Sequence, residues 1–178
     1  MKANHHGYTL IELTVVMFVI AILAGVVLTG ARGLLHRQRF NDAQEHFRSM
    51  VLTARNRSQT MTNGSSTIGV KIIVGDNATI TLFEDKNPKN SDFNSPPDSV
   101  IDTLQVDKKD FTVSVMKDAN AQCLNSATIL FSTSDETADL KCDDQNAGVN
   151  LLKINFQSTQ IASSLREFLI LKQAGVLQ

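Results

Sequence analysis

A chain of 178 residues, 42% of them hydrophobic, has room for one modest domain and an extension. Its formal net charge of −1, with no Trp and a single Tyr, supplies neither the basic field nor the aromatic platform on which nucleic-acid binding depends. The charge is unevenly spread: residues 1–60 carry seven Lys or Arg against three Asp or Glu, and residues 61–178 carry ten against fifteen.

The first seven residues, Met-Lys-Ala-Asn-His-His-Gly, are short and basic. From Leu13 to Ala31 no charged residue occurs over nineteen positions. As a helix this run is about 28 Å long, close to the hydrocarbon thickness of a bilayer. It is apolar on all sides, so lipid or protein must cover it. A secretory signal cut near Thr29-Gly30-Ala31 and a plain signal anchor both account for such a run. Neither has a use for Glu12 at its start, because a carboxylate in the bilayer centre costs about 2.5–3.5 kcal/mol. Flanking charge speaks against an outward-facing head. Lys2 and the terminal amine precede the run, whereas Arg32, Arg37 and Arg39 follow it.

Gly7-Tyr8-Thr9-Leu10-Ile11-Glu12-Leu13 resembles the prepilin cleavage motif of type IV pilins and type II secretion pseudopilins. Gly, hydroxyl residue, acid and apolar run fall in register over about the first thirty residues. The resemblance implies that residues 1–7 are a leader removed after Gly7 by prepilin peptidase at the cytoplasmic membrane face, and that Tyr8 is then N-methylated. It further implies that the subunit waits in the bacterial cytoplasmic membrane with its head outside the cytoplasm. From there it joins itself or other pilins in a pilus or pseudopilus. Family members usually start with Phe, and Tyr8 keeps the ring. Many carry a Pro in the second half of the run, which is missing here.

Cleavage after Gly7 would leave a positive amine on Tyr8 at the tip of an apolar helix. Glu12 lies one turn on, so it can neutralise that amine or a neighbouring subunit's, relieving both desolvation costs and setting axial register. The alternative is local: Thr9-x-x-Glu12 before an apolar run is a capping box. Ala21, Gly25, Thr29 and Gly33, at steps of four, form a strip where a second helix can approach closely, unless the glycines merely loosen the helix.

Beyond Ala31 the pattern turns amphipathic. Phe40, Ala43, Phe47, Met50, Val51 and Ala54 recur at three- and four-residue steps among charged residues, predicting that one helix continues to about Gln59. Thr62-Asn63-Gly64-Ser65-Ser66 stops it. Strands are predicted over 67–74, 78–84, 100–106, 111–116, 127–132, 151–157 and 166–172, with a hairpin turn at Gly75-Asp76-Asn77 and a loop over 87–97. The fold class is therefore α+β, a long N-terminal helix on a mainly antiparallel head. Its segments are 1–7 (leader), 8–31 (membrane or fibre-core helix), 32–60 (amphipathic helix) and 61–178 (head). The exit from helix into strands resembles the minor pilin and pseudopilin branch.

Cys123 and Cys142 are the two cysteines. They stay free thiols in a reducing compartment, but an exported head favours a disulfide. None of the four histidines lies beyond the long helix. His5 and His6 leave with the leader, and His36 and His46 are assigned to a solvated helix face. No nucleophile set, phosphate loop or zinc spacing is present, so no catalytic residue, metal or cofactor is expected. Asp135, Glu136, Asp139, Asp143 and Asp144 lack the ordered spacing of a calcium loop and read as a solvated acidic surface. The head's net charge of −5 disfavours DNA uptake, although Arg55, Arg57 and Lys71 could form a small basic patch. The rival to a fibre subunit is a signal-anchored or secreted β-rich binding domain.

Overall fold

The computed structural model describes residues 9–60, 67–86, 98–118, 121–132, 137–143, 148–161 and 164–172, leaving aside the side chains of 26–32. One helix, α1, runs from Leu10 to Thr60. Packing divides the chain into two units, Met1–Gln38 and Arg39–Gln178. In the first unit the described residues from Thr9 to Gly25 are all exposed.

In the second unit α1 obeys its amphipathic pattern. Phe40, Ala43, Phe47, Met50, Val51 and Ala54 are all buried, while Arg39, Asp42, Glu45 and Arg48 between them are exposed. The helix leaves its last turn with Ser58 and Thr60 hydroxyls donating to the carbonyls of Arg55 and Arg57, and the stop residues after it lie outside the described residues.

Nine strands follow: β1 Thr67–Ile73, β2 Asn77–Asp85, β3 Ser99–Asp107, β4 Phe111–Lys117, β5 Ala121–Cys123, β6 Ser126–Phe131, β7 Ala138–Cys142, β8 Leu151–Ser158 and β9 Leu165–Leu171. They form two antiparallel sheets, a five-stranded one in the order β3-β2-β1-β6-β7 and a four-stranded one in the order β5-β4-β8-β9. The fold is α+β, with every predicted strand present and its ends within one residue of those expected. β5 and β7 are additions. The first is too short to show alternation, and the second hides an apolar environment behind Asp139 and Lys141, the latter only 3% exposed.

Alternation places the core. Phe111, Val113 and Val115 of β4 and Leu152, Ile154 and Phe156 of β8 point one way and are buried. Onto them α1 lays its phenylalanines: the Phe47 ring centroid is 5.5 Å from Phe156 and 5.2 Å from Phe168, and Phe40 lies edge-on to Phe111 at 5.7 Å. Burying each such ring is worth about 1.5–3 kcal/mol. In the larger sheet Gly69 of β1 sits between its cross-strand neighbours Phe83 and Leu130. A Cβ there would come within 2.6 Å of the Phe83 ring and 2.7 Å of Leu130, so only glycine lets both side chains close over the strand.

The chain passes between the sheets after β3, β5 and β7, and aspartates hold two of the turns. Asp118, just past β4, has φ 46°, and its carboxylate accepts the backbone N–H groups of Asn150 and Leu151 at the entry to β8. Asp143, just past β7, has φ 51° and accepts from Leu124, Asn125 and Ser126 between β5 and β6. Left-handed backbone is tolerated by Asp when its short side chain bonds locally. Burial raises the Asp143 carboxyl, but the three N–H groups and Lys117 outweigh it and hold it below its ordinary value of 3.8. Two members of the predicted acidic cluster are thus not a solvated surface: Asp139 is a half-buried residue of β7, and Asp143 is a turn clamp. Asp135, Glu136 and Asp144 lie outside the described residues. The same crossing carries the Cys123–Cys142 disulfide, with Cα atoms 5.4 Å apart, tying β5 of one sheet to β7 of the other.

Replacing both cysteines with Ser should cost about 3 kcal/mol by freeing a loop of sequence separation 19. The urea midpoint of this variant should match that of the wild type under reductant. Asp143→Ala should cost about 1–2 kcal/mol near neutral pH by removing the acceptor of three N–H groups. Because the folded-state pKa is lowered, the carboxylate's contribution is present above 3.8 and lost as pH falls through the depressed value. Urea titrations of wild type and variant should accordingly converge at strongly acidic pH.

Candidate functional site

The first turn of α1 is built by two side chains. Thr9 N–H donates to Glu12 Oε2 at 2.8 Å and Thr9 Oγ1 to the same oxygen at 3.0 Å, while Glu12 N–H faces Thr9 Oγ1 at 3.4 Å. This is the reciprocal capping box, which satisfies helix donors that have no partner in the preceding turn. Glu12 therefore has a local role in the single chain, and its second oxygen, Oε1, accepts no hydrogen bond among the described residues. Gly7 and Tyr8 lie outside the described residues.

From this cap onwards the helix presents grease to its surroundings. Leu10 is 83% exposed and Phe18 68%, and Leu13, Val15, Val16, Met17, Ile20 and Leu23 are likewise exposed. A run of this kind is not stable against water and marks a surface made for lipid or protein. No helix among the described residues is long and apolar enough to cross a membrane. The described side chains of the run stop at Gly25, short of the about 20 residues a span needs. Of the small-residue strip, Ala21 is exposed, and an added Cβ at Gly25 or Gly33 would meet nothing within 4 Å. The Thr29 side chain is outside the described set.

The two helix histidines depart from the expected solvated face. His36 is 5% exposed. His46 Nε2 lies 2.7 Å from Asp102 Oδ2, joining α1 to β3. That hydrogen bond, with a smaller contribution from the Thr103 N–H, holds the Asp102 carboxyl below its ordinary range against the effect of burial. The signal for this pair was absent from the sequence, since 56 residues separate the partners. Among the described residues no group of His, Cys, Asp and Glu is arranged to hold a metal ion. Of the suggested basic patch, Arg55 and Arg57 stand in the last turns of α1 and Lys71 on β1.

Comparison with known proteins agrees with the geometry at the N-terminus and is silent on the head. No curated protein and no solved structure matches the chain. One family model does, the prokaryotic N-terminal methylation motif, over residues 2–28. That interval contains the capping box and the exposed apolar stretch, so the chain carries the N-terminal methylation motif, which is the prepilin cleavage motif of type IV pilins and pseudopilins.

Proposed function

We propose that the chain is a structural subunit of a type IV pilus-like or type II secretion-like fibre. Prepilin peptidase cuts it after Gly7 and Tyr8 is N-methylated. It is held meanwhile by the segment 8–31 in the bacterial cytoplasmic membrane, with its head outside the cytoplasm. The observation that carries this reading is the coincidence of the methylation motif with a helix whose apolar residues are exposed on every side. Lipid covers that surface before assembly, and the helices of self or other pilins cover it afterwards.

The strip Ala21, Gly25, Thr29 and Gly33 is the line of closest helix approach in this scheme, and the open space around Gly25 and Gly33 is what a docking helix would fill. Glu12 has two duties. Its Oε2 closes the cap, and its carboxylate charge meets the Tyr8 amine that cleavage creates, in its own subunit or the next. The disulfide supports a head that matures in an oxidising compartment. The head needs no catalytic group, metal or cofactor for this work, and nucleic acid is not among its proposed partners.

Mass spectrometry of the mature chain tests the reading directly. The expected terminus is Tyr8 bearing one methyl group, and Gly7→Val should leave the leader in place. A terminus at Arg32 would indicate a secreted domain, and an intact Met1 a plain anchor. Glu12→Gln separates the two duties, since Gln serves at this position of a capping box but carries no charge. Its helix should form normally while its incorporation into fibres, measured by quantifying sheared material, falls steeply. Thr9→Ala should do the reverse, costing about 1 kcal/mol of helix stability with fibres largely retained.

A further inference from the structure

The second unit contains a cleft that the fibre reading does not use. It lies between the exposed side of α1 and β9, has a volume of about 580 Å³, and is lined among others by Gln44, Glu45, Arg48, Arg166, Glu167 and Phe168. Gln44 is only 8% exposed, and its amide nitrogen is fully buried with no hydrogen-bond partner among the described residues. A nitrogen buried to this degree is out of reach of a ligand in the open cleft, so Gln44 forms part of its floor. Arg48 and Arg166 are exposed on either wall, and among the described residues neither makes an ion pair. Glu167, one of the two carboxylates lining the cleft, is engaged by Lys153 at 2.6 Å and so competes less for the arginines.

The strand beside the cleft pairs on one side only among the described residues. β9 is an edge of its sheet. Ser158 N–H donates to Ser164 O and Lys172 N–H to Asn150 O, which fixes the phase of the ladder with β8. The backbone groups of Leu165, Glu167, Leu169 and Leu171 consequently face away from β8, since hydrogen-bonding residues alternate along an antiparallel strand. An extended segment paired along this edge is thereby offered backbone partners beside the cleft.

We propose that this cleft and the β9 edge together bind an extended acidic peptide segment of a partner protein. The segment adds a strand to β9 and seats one Asp or Glu carboxylate between Arg48 and Arg166. Main-chain pairing supplies affinity and the carboxylate supplies register, the division of labour usual in strand addition. Arginine forks suit a planar carboxylate. Glu45 and Glu167, which also line the cleft, repel a second negative charge, which favours a single carboxylate over a polyanion. The inference does not depend on leader cleavage or on which fibre the chain enters.

Selection of random displayed nonapeptides on the full chain in detergent micelles provides the test. Enriched sequences should share one Asp or Glu flanked by alternating β-branched residues. A synthetic winner should bind about tenfold more weakly when that acid is changed to its amide. Arg48→Ala and Arg166→Ala should each reduce binding by a similar factor. Arg166→Lys should fall in between, because it keeps the charge and loses the fork. Inorganic phosphate at the same ionic strength as a chloride control should not displace the peptide. Enrichment without an acid, equal binding of the acid and amide peptides, or displacement by phosphate would each overturn the proposal. If an arginine variant fails to fold, as judged by circular dichroism, the acid-to-amide comparison in the peptide still decides.

Discussion

Phe47 is the point on which the second unit turns. Its ring touches Phe156 in the middle of one sheet and Phe168 on the adjacent edge strand, and those two rings touch each other at 5.6 Å. Tilted and edge-on contacts of this kind add about 0.5–1.5 kcal/mol to the burial they accompany. More important is what the triangle forces. With Phe47 fixed, the three- and four-residue spacing of α1 carries Phe40 to Phe111 and sets Met50, Val51 and Ala54 into the core, so rotation of the helix is determined by a single side chain. Gln44 and His46 are then carried to its flanks, the first into the cleft beside β9 and the second onto Asp102 of β3.

The two sheets meet this helix because the chain repeatedly changes layers, and side chains help to hold the changes. Asp118 and Asp143 each adopt a left-handed backbone just past a strand and use a carboxylate to gather the N–H groups of another segment. The disulfide reinforces the same neighbourhood covalently. Such devices are useful in a head that has few residues with which to build a core, since each one fixes a connection that hydrophobic burial alone would leave free.

Much of this was legible in the sequence where a period governs the residues. Phe40 through Ala54 repeat at helical steps, and the inward positions of β4 and β8 alternate, so the long helix, its buried stripe and seven strands could be read directly. The register of the N-terminal motif was legible for a different reason: Gly7, Thr9 and Glu12 are few, close together and chemically distinct. The failures have a common cause as well. β7 contains Asp139 and Lys141, residues that ordinarily announce solvent, yet Lys141 is buried. Asp143 looks like one of several neighbouring acids because its three partners lie 17–19 residues earlier. His46 looks solvated in the sequence because Asp102 is remote from it. Polar residues satisfied by distant partners carry no local pattern.

The capping box has a bearing on processing that follows from its position alone. Both of its members, Thr9 and Glu12, lie downstream of Gly7, and all three of their contacts are made between themselves. A helix start closed by Thr9 and Glu12 keeps these three bonds whether or not the residues up to Gly7 remain attached. A chain severed there would carry the lock of its own first turn away with it.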